Sequence, residues 1–256
     1  MIHTIKAIDA HTHINHGSKF DSNPNSNTYN ATLAYLQEEN RVAGIEKMIC
    51  STFSSVLSVE EVEQENEYLQ RLCQETPGLY QWVVIDPRNA RTFAQADAML
   101  GGDKCVGIKL HPYFHKYTLE EFGDQIFSFA AERNAIVQIH PERAPDYILD
   151  FANKYPRVTF IMAHMGSYDE DADARAIGLA KHGNVYVDTS GRASTQNRVV
   201  EYTVSKVGSD RILFGTDTYA AGFQRGRIEY ALISDEDKCN ILRYNAERLF
   251  GAAIKA

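Results

Sequence analysis

The stretch VTFIMAH, residues 158–164, is an apolar run that ends in a histidine, and runs of this kind recur along the chain. The seven others are TIKAIDA (4–10), IEKMICSTF (45–53), YQWVVID (80–86), VGIKL (106–110), AIVQIH (135–140), VYVDTS (185–190) and RILFGTD (211–217). Short apolar runs rich in β-branched and aromatic residues are typical of buried strands. Their starts lie roughly 20 to 40 residues apart, which matches the ~30 residues of a strand with its crossover helix. The sequence therefore predicts eight parallel strands.

The segments between these runs carry helix signals. Ser58–Glu61 and Thr118–Glu121 have the pattern of a capping box, and each precedes apolar residues at helical spacing. Pro145 suits a first helical turn, and Ser234 begins a similar Ser-x-x-Asp pattern. Eight strands that alternate with helices can close into a barrel, which leaves no exposed sheet edge. Because no Pro- or Gly-rich linker interrupts the alternation, we predict an α/β protein with a single (β/α)8 TIM barrel, one domain over residues 1–256.

The composition is that of a soluble globular protein, with 44% hydrophobic and 23% charged residues among 256. Asp and Glu number 34 against 26 for Lys and Arg, and the resulting net charge of -8 disfavours general nucleic-acid binding. No apolar run approaches the ~18 residues that span a bilayer, and the first residues lack the pattern of a signal peptide. We expect a cytoplasmic protein that acts on a small molecule and binds neither nucleic acid nor membrane. Its oligomeric state stays open, with a homo-oligomer as one alternative.

Polar side chains stand at the carboxyl ends of several predicted strands. His11 and His13 have the same parity in the first strand, so both imidazoles point the same way and can share a divalent cation. A single H-x-H is common by chance, but His140, His164 and Asp217 each end a further run. The carboxyl ends of the strands form the functional rim of a barrel. A shared metal ion explains why costly polar groups recur at this rim.

Seven pieces of the chain, in this order, carry a resemblance to a known family: IDAHTH (8–13), VGIKLHP (106–112), VQIH (137–140), FIMAHMG (160–166), NVYVDTSG (184–191), ILFGTD (212–217) and NAERLFG (245–251). They resemble the amidohydrolase superfamily, in the branch that includes aminocarboxymuconate semialdehyde decarboxylase and several lactone and carboxylic-ester hydrolases. The resemblance covers nearly the whole chain. It implies that His11, His13, His140 and Asp217 bind one divalent metal ion, zinc, with water completing the shell. It also implies that His164 orients the reacting group or exchanges protons with it.

The chemistry of these residue types agrees with that assignment. Neutral imidazoles and a carboxylate suit zinc, manganese or iron, and a bound metal can lower the pKa of water from about 15.7 toward about 7. Asp217 would then accept the proton of the attacking water. His164 would polarise the substrate carbonyl or protonate the leaving group, with a packed histidine that supports a ligand as the alternative.

Lys109 lies in the fourth predicted strand, and His111 is the first residue after that strand. Some relatives with two metals use a carboxylated lysine from this strand as a bridging ligand. Here His111 precedes a proline just as His140 does, which predicts His111 at the rim and Lys109 one layer deeper. We therefore expect one metal ion rather than a bridged pair, and an unmodified Lys109 ammonium beside an anion from a nearby aspartate or from the substrate. Both residues are predicted to bind substrate, although His111 suits a supporting role equally well.

Arg143 and Arg192 follow the fifth and seventh strands and are the predicted ligands of a substrate carboxylate. Ordinary surface positions are the alternative for both. The remaining histidines, His3, His16, His115 and His182, fall at the chain start or in polar segments, where we expect exposure to solvent. Residues 14–30, polar and rich in Asn, are expected to form a lid or a solvated loop.

Three functions are compatible with these residues. The first is a metal-dependent hydrolase of a small, carboxylated ester, lactone or amide. The second keeps the same site but decarboxylates an unsaturated carboxylic acid, and the third is a barrel that binds metal or ligand without catalysis. The sequence lacks G-x-S-x-G, G-x-x-x-x-G-K and a G-x-G-x-x-G after a strand, which disfavours serine hydrolases, P-loop enzymes and dinucleotide enzymes. We favour the hydrolase.

Overall fold

The computed structural model describes residues 4–15, 31–196, 198–218 and 220–254, and its core is one eight-stranded parallel sheet. The strands pair in sequence order: β1 (Ala7–Ile14), β2 (Ile45–Thr52), β3 (Leu79–Val84), β4 (Cys105–Leu110), β5 (Ile136–Ile139), β6 (Thr159–Met162), β7 (Val185–Asp188) and β8 (Ile212–Leu213). Ala10 donates its N–H to the carbonyl of Phe214 over 2.9 Å, and Thr216 donates to His11 over 3.1 Å. These bonds join the two ends of the sheet, so the predicted (β/α)8 barrel is confirmed.

Helices follow the strands on the outside of the barrel. They are α1 (Leu33–Ala43), α2 (Phe53–Leu57), α3 (Val62–Glu75), α4 (Ala90–Leu100), α5 (Pro112–His115), α6 (Leu119–Glu132), α7 (Leu149–Lys154), α8 (Ala172–Gly178), α9 (Val199–Val207), α10 (Ala221–Glu229), α11 (Asp235–Cys239) and α12 (Asn245–Phe250). A 3-10 turn at Pro145–Ile148 precedes α7, and a π-helical turn at Asn240–Tyr244 joins α11 to α12. Among the described residues no helix is long and apolar enough to cross a membrane.

Two of the predicted helix caps form as expected, and one does not. The Thr118 hydroxyl accepts the N–H of Glu121 over 3.3 Å at the start of α6, and the Ser234 hydroxyl caps α11 in the same way. The prediction for Ser58 is wrong. Ser58 instead ends α2, because its N–H bonds to the carbonyl of Ser54, and α3 begins only at Val62 without a side-chain cap.

Alternation along the strands separates an outer core from an inner one. Phe160 and Met162 of β6 pack with the surrounding helices, whereas Ile161 between them belongs to a cluster inside the barrel. That inner cluster includes Trp82, whose ring lies 5.6 Å from the ring of Phe250 at the end of α12. The inner residues nearer the carboxyl ends are polar, and this change from apolar to polar marks where the site begins.

Beyond Ile14 and Asn15, the polar stretch expected to be a lid or loop lies outside the described residues, as do His3 and His16. His182 is exposed, as expected. The expectation for His115 is wrong: its side chain is 1% exposed, and its Nε2 lies 2.9 Å from the carbonyl oxygen of Ser55. This bond ties α5 to α2, two short helices at the carboxyl rim, and a polar sequence environment gave no sign of it.

Candidate metal centre

Three side-chain atoms from β1 and from the turn after β8 converge at the carboxyl rim. The Nε2 atoms of His11 and His13 are 3.3 Å apart. Asp217 Oδ1 lies 3.2 Å from Nε2 of His13 and 3.7 Å from Nε2 of His11. A tetrahedral ion with bonds of about 2.0–2.1 Å holds neighbouring ligand atoms about 3.3 Å apart. The spacing and chemistry of this set, which we call the metal triad (His11, His13 and Asp217), therefore fit a divalent cation.

The far side of each imidazole is held by a partner. Nδ1 of His11 lies 3.0 Å from Asp188 Oδ2 and 2.9 Å from the hydroxyl of Ser190, and Nδ1 of His13 lies 3.0 Å from the hydroxyl of Ser51. An imidazole that donates its Nδ1–H to such a partner keeps the lone pair of Nε2 for a metal. Ser51 was not singled out in the sequence, although it stands at the carboxyl end of β2 with the parity of an inward residue.

Burial controls the ionisation of the triad. It lowers the pKa of His11 to about 3, assisted by the charge of Lys109, and it lowers the pKa of His13 as well. Both imidazoles are therefore neutral near pH 7. Burial alone would raise the pKa of Asp217, but the charge of His164 and the hydrogen bond with His13 outweigh it, so the net pKa is lowered. Two neutral imidazoles and one carboxylate are the protonation states that a divalent cation requires.

Lys109 is fully buried beside His11 of the triad. Its Nζ lies 2.9 Å from Nε2 of His11 and donates to Oε1 of Gln138 over 2.9 Å. The direct partners of the ammonium are therefore a neutral imidazole and a neutral amide. Asp188 and Asp217 act on the ammonium only as nearby charges, and burial lowers the pKa of Lys109 to about 8.

Gln138 joins this lysine to the rest of the site. Its Nε2 donates to the carbonyl of Ala10 and to Oδ2 of Asp188, each over 3.1 Å. Gln138 was not among the predicted site residues, yet it shares the parity of His140 on β5, which is the signal that marks an inward side chain there.

His140 stands beside the triad rather than within it. Its Nδ1 lies 3.0 Å from Nε2 of His164, and the ring of His111 stacks on it with centroids 4.0 Å apart. Nδ1 of His164 in turn lies 2.9 Å from the Ser190 hydroxyl. The structure thus brings three of the four predicted ligands together and places the fourth in contact with the predicted catalytic histidine.

A second group of ligand atoms shares one member with the triad. Donor atoms of His11, His164 and Asp188 lie within 4.8 Å of one another. Burial would raise the pKa of Asp188, but the electrostatic interaction with the His11 imidazole and the hydrogen bond between the two side chains lower it on balance. Asp188 therefore faces His11 as a carboxylate.

The residues predicted to bind substrate are dispersed. His111 is 5% exposed and lies against the site through its stacking on His140. Arg143 forms an ion pair with Glu120 and lies over the ring of Tyr147 at 4.9 Å, and neither of these partners belongs to the triad. Arg192 is exposed and directly follows Gly191. A Cβ on that glycine would lie 3.0 Å from Nδ1 of His164, so Arg192 starts close to the predicted catalytic residue.

Aromatic side chains stand at the mouth of the barrel above the histidines. The ring of Phe53 lies 4.9 Å from that of His13, and the ring of Phe114 lies 4.8 Å from that of His111. Phe114 is 42% exposed and its neighbour Tyr113 60% exposed. We call these three residues, Phe53, Tyr113 and Phe114, the aromatic rim.

The family model described as Amidohydrolase matches residues 8–252, and the chain belongs to this family. No curated protein matches the chain by sequence. Among solved structures, the chain is similar to 2,6-dihydroxybenzoate decarboxylase from Rhizobium, with 16% identity, a TM-score of 0.76, and 96% of this chain and 98% of that chain covered. It is also similar to a putative 2-pyrone-4,6-dicarboxylic acid hydrolase from Pseudomonas putida, with 18% identity, a TM-score of 0.71, and the same two shares covered.

A third similar structure is 5-carboxyvanillate decarboxylase from Novosphingobium aromaticivorans, solved with manganese and 4-hydroxy-3-methoxy-5-nitrobenzoic acid. Its identity is 17% and its TM-score 0.73, over 96% of both chains. At such identities the likeness establishes the shared barrel. Family membership and the geometry of the triad together make this protein a metal-dependent enzyme of the amidohydrolase type, with zinc still a prediction.

Proposed function

We propose that the protein is a metal-dependent hydrolase of a small carboxylated ester, lactone or amide. The proposal assigns His11, His13, His140 and Asp217 as ligands of one divalent ion, with zinc as the expected metal. The observation that carries it is the metal triad, with three donor atoms at ligand spacing and in the protonation states that a cation needs. His140 lies within hydrogen-bond reach of His164, next to the triad, which supports it as the fourth ligand.

A divalent cation held there would polarise a carbonyl and lower the pKa of a water molecule. Asp217 suits the role of general base because its two carboxylate oxygens have different surroundings. Oδ1 faces the two histidines of the triad, and Oδ2 lies 3.5 Å from where a Cβ on Gly191 would lie. Its side chain is 17% exposed, more than those of both histidines, so it faces the mouth from which water enters. Asp217 accepts the proton of the attacking water through this second oxygen.

His164 stands on the same side, beside Gly191. Its two ring nitrogens contact His140 and Ser190, which hold the ring in place without burying it completely. To act on the substrate, Nε2 of His164 would exchange its contact with His140 for the substrate carbonyl, to which it would donate a hydrogen bond, or for the leaving group, to which it would donate a proton.

The substrate carboxylate is assigned to Lys109, His111, Arg143 and Arg192. Lys109 donates to the lone pair on Nε2 of His11, and a bound cation would take this lone pair. The Lys109 ammonium would then be left to interact with Gln138 and with an anion. Arg192 begins at the rim beside Gly191. Arg143 must exchange its ion pair with Glu120 to reach a ligand.

The test is turnover of a panel of lactones and carboxylated esters by metal-loaded protein, compared with the Asp217→Asn variant. Loss of the base should lower kcat by about 10²–10⁴-fold. Asp169→Asn is the matched control, because this exposed aspartate on the loop after β6 pairs with Arg175 and not with the triad. Activity retained in Asp217→Asn, or absent from wild type on every ester and lactone, would contradict the proposal.

Decarboxylation of an unsaturated carboxylic acid is the second candidate. The aromatic rim favours it, because the half-buried ring of Phe53 beside His13 and the exposed ring of Phe114 beside His111 offer stacking to a flat, conjugated acid. Release of carbon dioxide from such acids, without consumption of any ester or lactone, would establish this reaction instead.

A further inference from the structure

The turn after β8, which carries Asp217, has a backbone that its sequence does not favour. Asp217 has φ 55° and Thr218 has φ 66°, so two consecutive residues with side chains lie in the left-handed region. Residues with a Cβ enter this region at a steric cost, and β-branched threonine is among the least suited to it. Other contacts must therefore hold the turn.

The hydroxyl of Thr218 supplies such contacts to the strand that bears the two histidines. It accepts the N–H of His13 over 2.8 Å and donates to the carbonyl of the same residue over 2.9 Å. It also lies 3.1 Å from the hydroxyl of Thr12, and Thr218 as a whole is 8% exposed. One hydroxyl thus bridges both polar groups of the His13 backbone, although the two residues are 205 positions apart.

The residue before Asp217 is anchored to the same strand. Thr216 donates its N–H to Oδ1 of Asp9 over 3.1 Å and its hydroxyl to Oδ2 over 2.6 Å. The N–H of His11 donates to Oδ1 of the same carboxylate over 3.0 Å. The N–H of Asp217 itself donates to the carbonyl of His11 over 2.8 Å. The turn is therefore bound to β1 before, at and after Asp217.

We infer that Thr218 is a positioning residue for the metal triad. Its hydroxyl fixes the turn against His13, and this keeps Asp217 Oδ1 at 3.2 Å from Nε2 of His13. Thr218 acts through these two residues and contacts neither substrate nor metal. The inference rests on one part of the proposed function, namely that the metal triad binds a divalent cation.

The test measures the affinity of the full-length, metal-free protein for Mn²⁺ and Zn²⁺ in wild type and three variants of Thr218. Thr218→Val keeps the branched side chain and removes the hydroxyl, and we expect its affinity to fall by about 10–100-fold. Thr218→Ser keeps the hydroxyl and should bind within about threefold of wild type. The absorption spectrum of bound Co²⁺ should change in the Val variant and not in the Ser variant, since it reports ligand geometry.

Thr218→Gly separates positioning from backbone strain. Glycine tolerates the left-handed conformation, so this variant folds without the steric cost of a side chain. Affinity should nevertheless fall as it does in Thr218→Val, because the bridge to His13 is lost. If the Gly variant binds as wild type does, relief of strain explains the role of Thr218 and the inference is overturned.

Thr92→Val is the matched control, because Thr92 is a fully buried threonine whose hydroxyl bonds to Asp86 and Asn89. It should lose stability without losing metal affinity. If wild type binds metal and Thr218→Val binds it with the same affinity, this inference is overturned and the proposed function is not. Failure of wild type itself to bind either ion would overturn the proposed function as well.

Discussion

Each imidazole of the metal triad is oriented by a partner on its far side. Asp188 and Ser51 engage the two Nδ1 atoms, and Lys109, which can only donate, requires that Nε2 of His11 accept. The tautomer of His11 thus follows from its neighbours. At the scale of single residues, the site depends on such partners as much as on the ligands themselves.

Asp173 is a buried carboxyl near the site whose ionisation affects stability. Its Oδ2 accepts the N–H of Gly166 over 2.9 Å, and burial raises its pKa from 3.8 to about 6. Because the folded-state pKa lies above that of the unfolded chain, the folded protein retains a proton that the unfolded chain releases between about pH 4 and 6. The contribution of Asp173 to the free energy of unfolding therefore falls as pH rises through this window.

We expect Asp173→Asn to remove that fall, since the amide oxygen still accepts the N–H and carries no charge. Between pH 4 and 6 the free energy of unfolding of the variant, relative to that of wild type, should rise by up to about 2–3 kcal/mol. Above pH 6 this difference should stay constant. Urea unfolding of chelator-treated proteins at a series of pH values measures this difference. The exposed Asp103→Asn should run parallel to wild type, and equal pH slopes in wild type and Asp173→Asn would refute the assignment.

At the scale of elements, strand alternation and short helices build the site together. Gln138 and His140 project from β5 and the turn directly after it, and Asp188 and Ser190 from β7 and its turn, each pair separated by one residue. The helices α2 and α5 carry the aromatic rim and are tied to each other through His115. The strands thus determine the depth of each polar group, and the helices determine the walls of the mouth.

Gly107 shows how closely β4 packs where it positions Lys109. A Cβ at this position would lie 2.4 Å from the carbonyl oxygen of Ile136 and 2.6 Å from Cζ3 of Trp82. Backbone on one side and a fully buried indole on the other leave it no room. We expect Gly107→Ala to lower the free energy of unfolding by about 2–3 kcal/mol.

The midpoint of urea unfolding measures this loss. Gly101→Ala is the control, because a Cβ there would meet no atom within 4 Å and the backbone φ is -83°. It should unfold near the wild-type midpoint. If the two variants unfold at the same urea concentration, the packing argument for β4 fails.

At the scale of the whole molecule, closure of the barrel brings the triad together. His11 and His13 lie in the first strand and Asp217 follows the last, and these strands are neighbours only because the sheet closes. A cation at the triad therefore links the two ends of the barrel in the folded state and has no preformed site in the unfolded chain.

We expect metal to stabilise the fold in proportion to its concentration. At about 100 times the Kd, Mn²⁺ or Zn²⁺ should add about 2.7 kcal/mol to the free energy of unfolding, or roughly 5–10 °C in Tm. Scanning calorimetry with metal and then with excess chelator measures the gain and its reversal. Asp217→Asn should show a much smaller gain, and a shift as large as that of wild type would exclude Asp217 from the site.

The sequence by itself determined the strands and their alternation with helices, and it predicted His11, His13 and Asp217 as metal ligands together with His140. These features are local, because burial imposes a period on each strand and the rim residues stand directly at strand ends. Tertiary structure decided which side chains meet. Ser51 and Gln138 carry the parity of inward residues, but their partners, like those of Thr218, lie far away in sequence and could not be predicted from it. The burial of His115 and the pairing of Arg143 with Glu120 likewise depend on helix contacts that closure of the barrel creates.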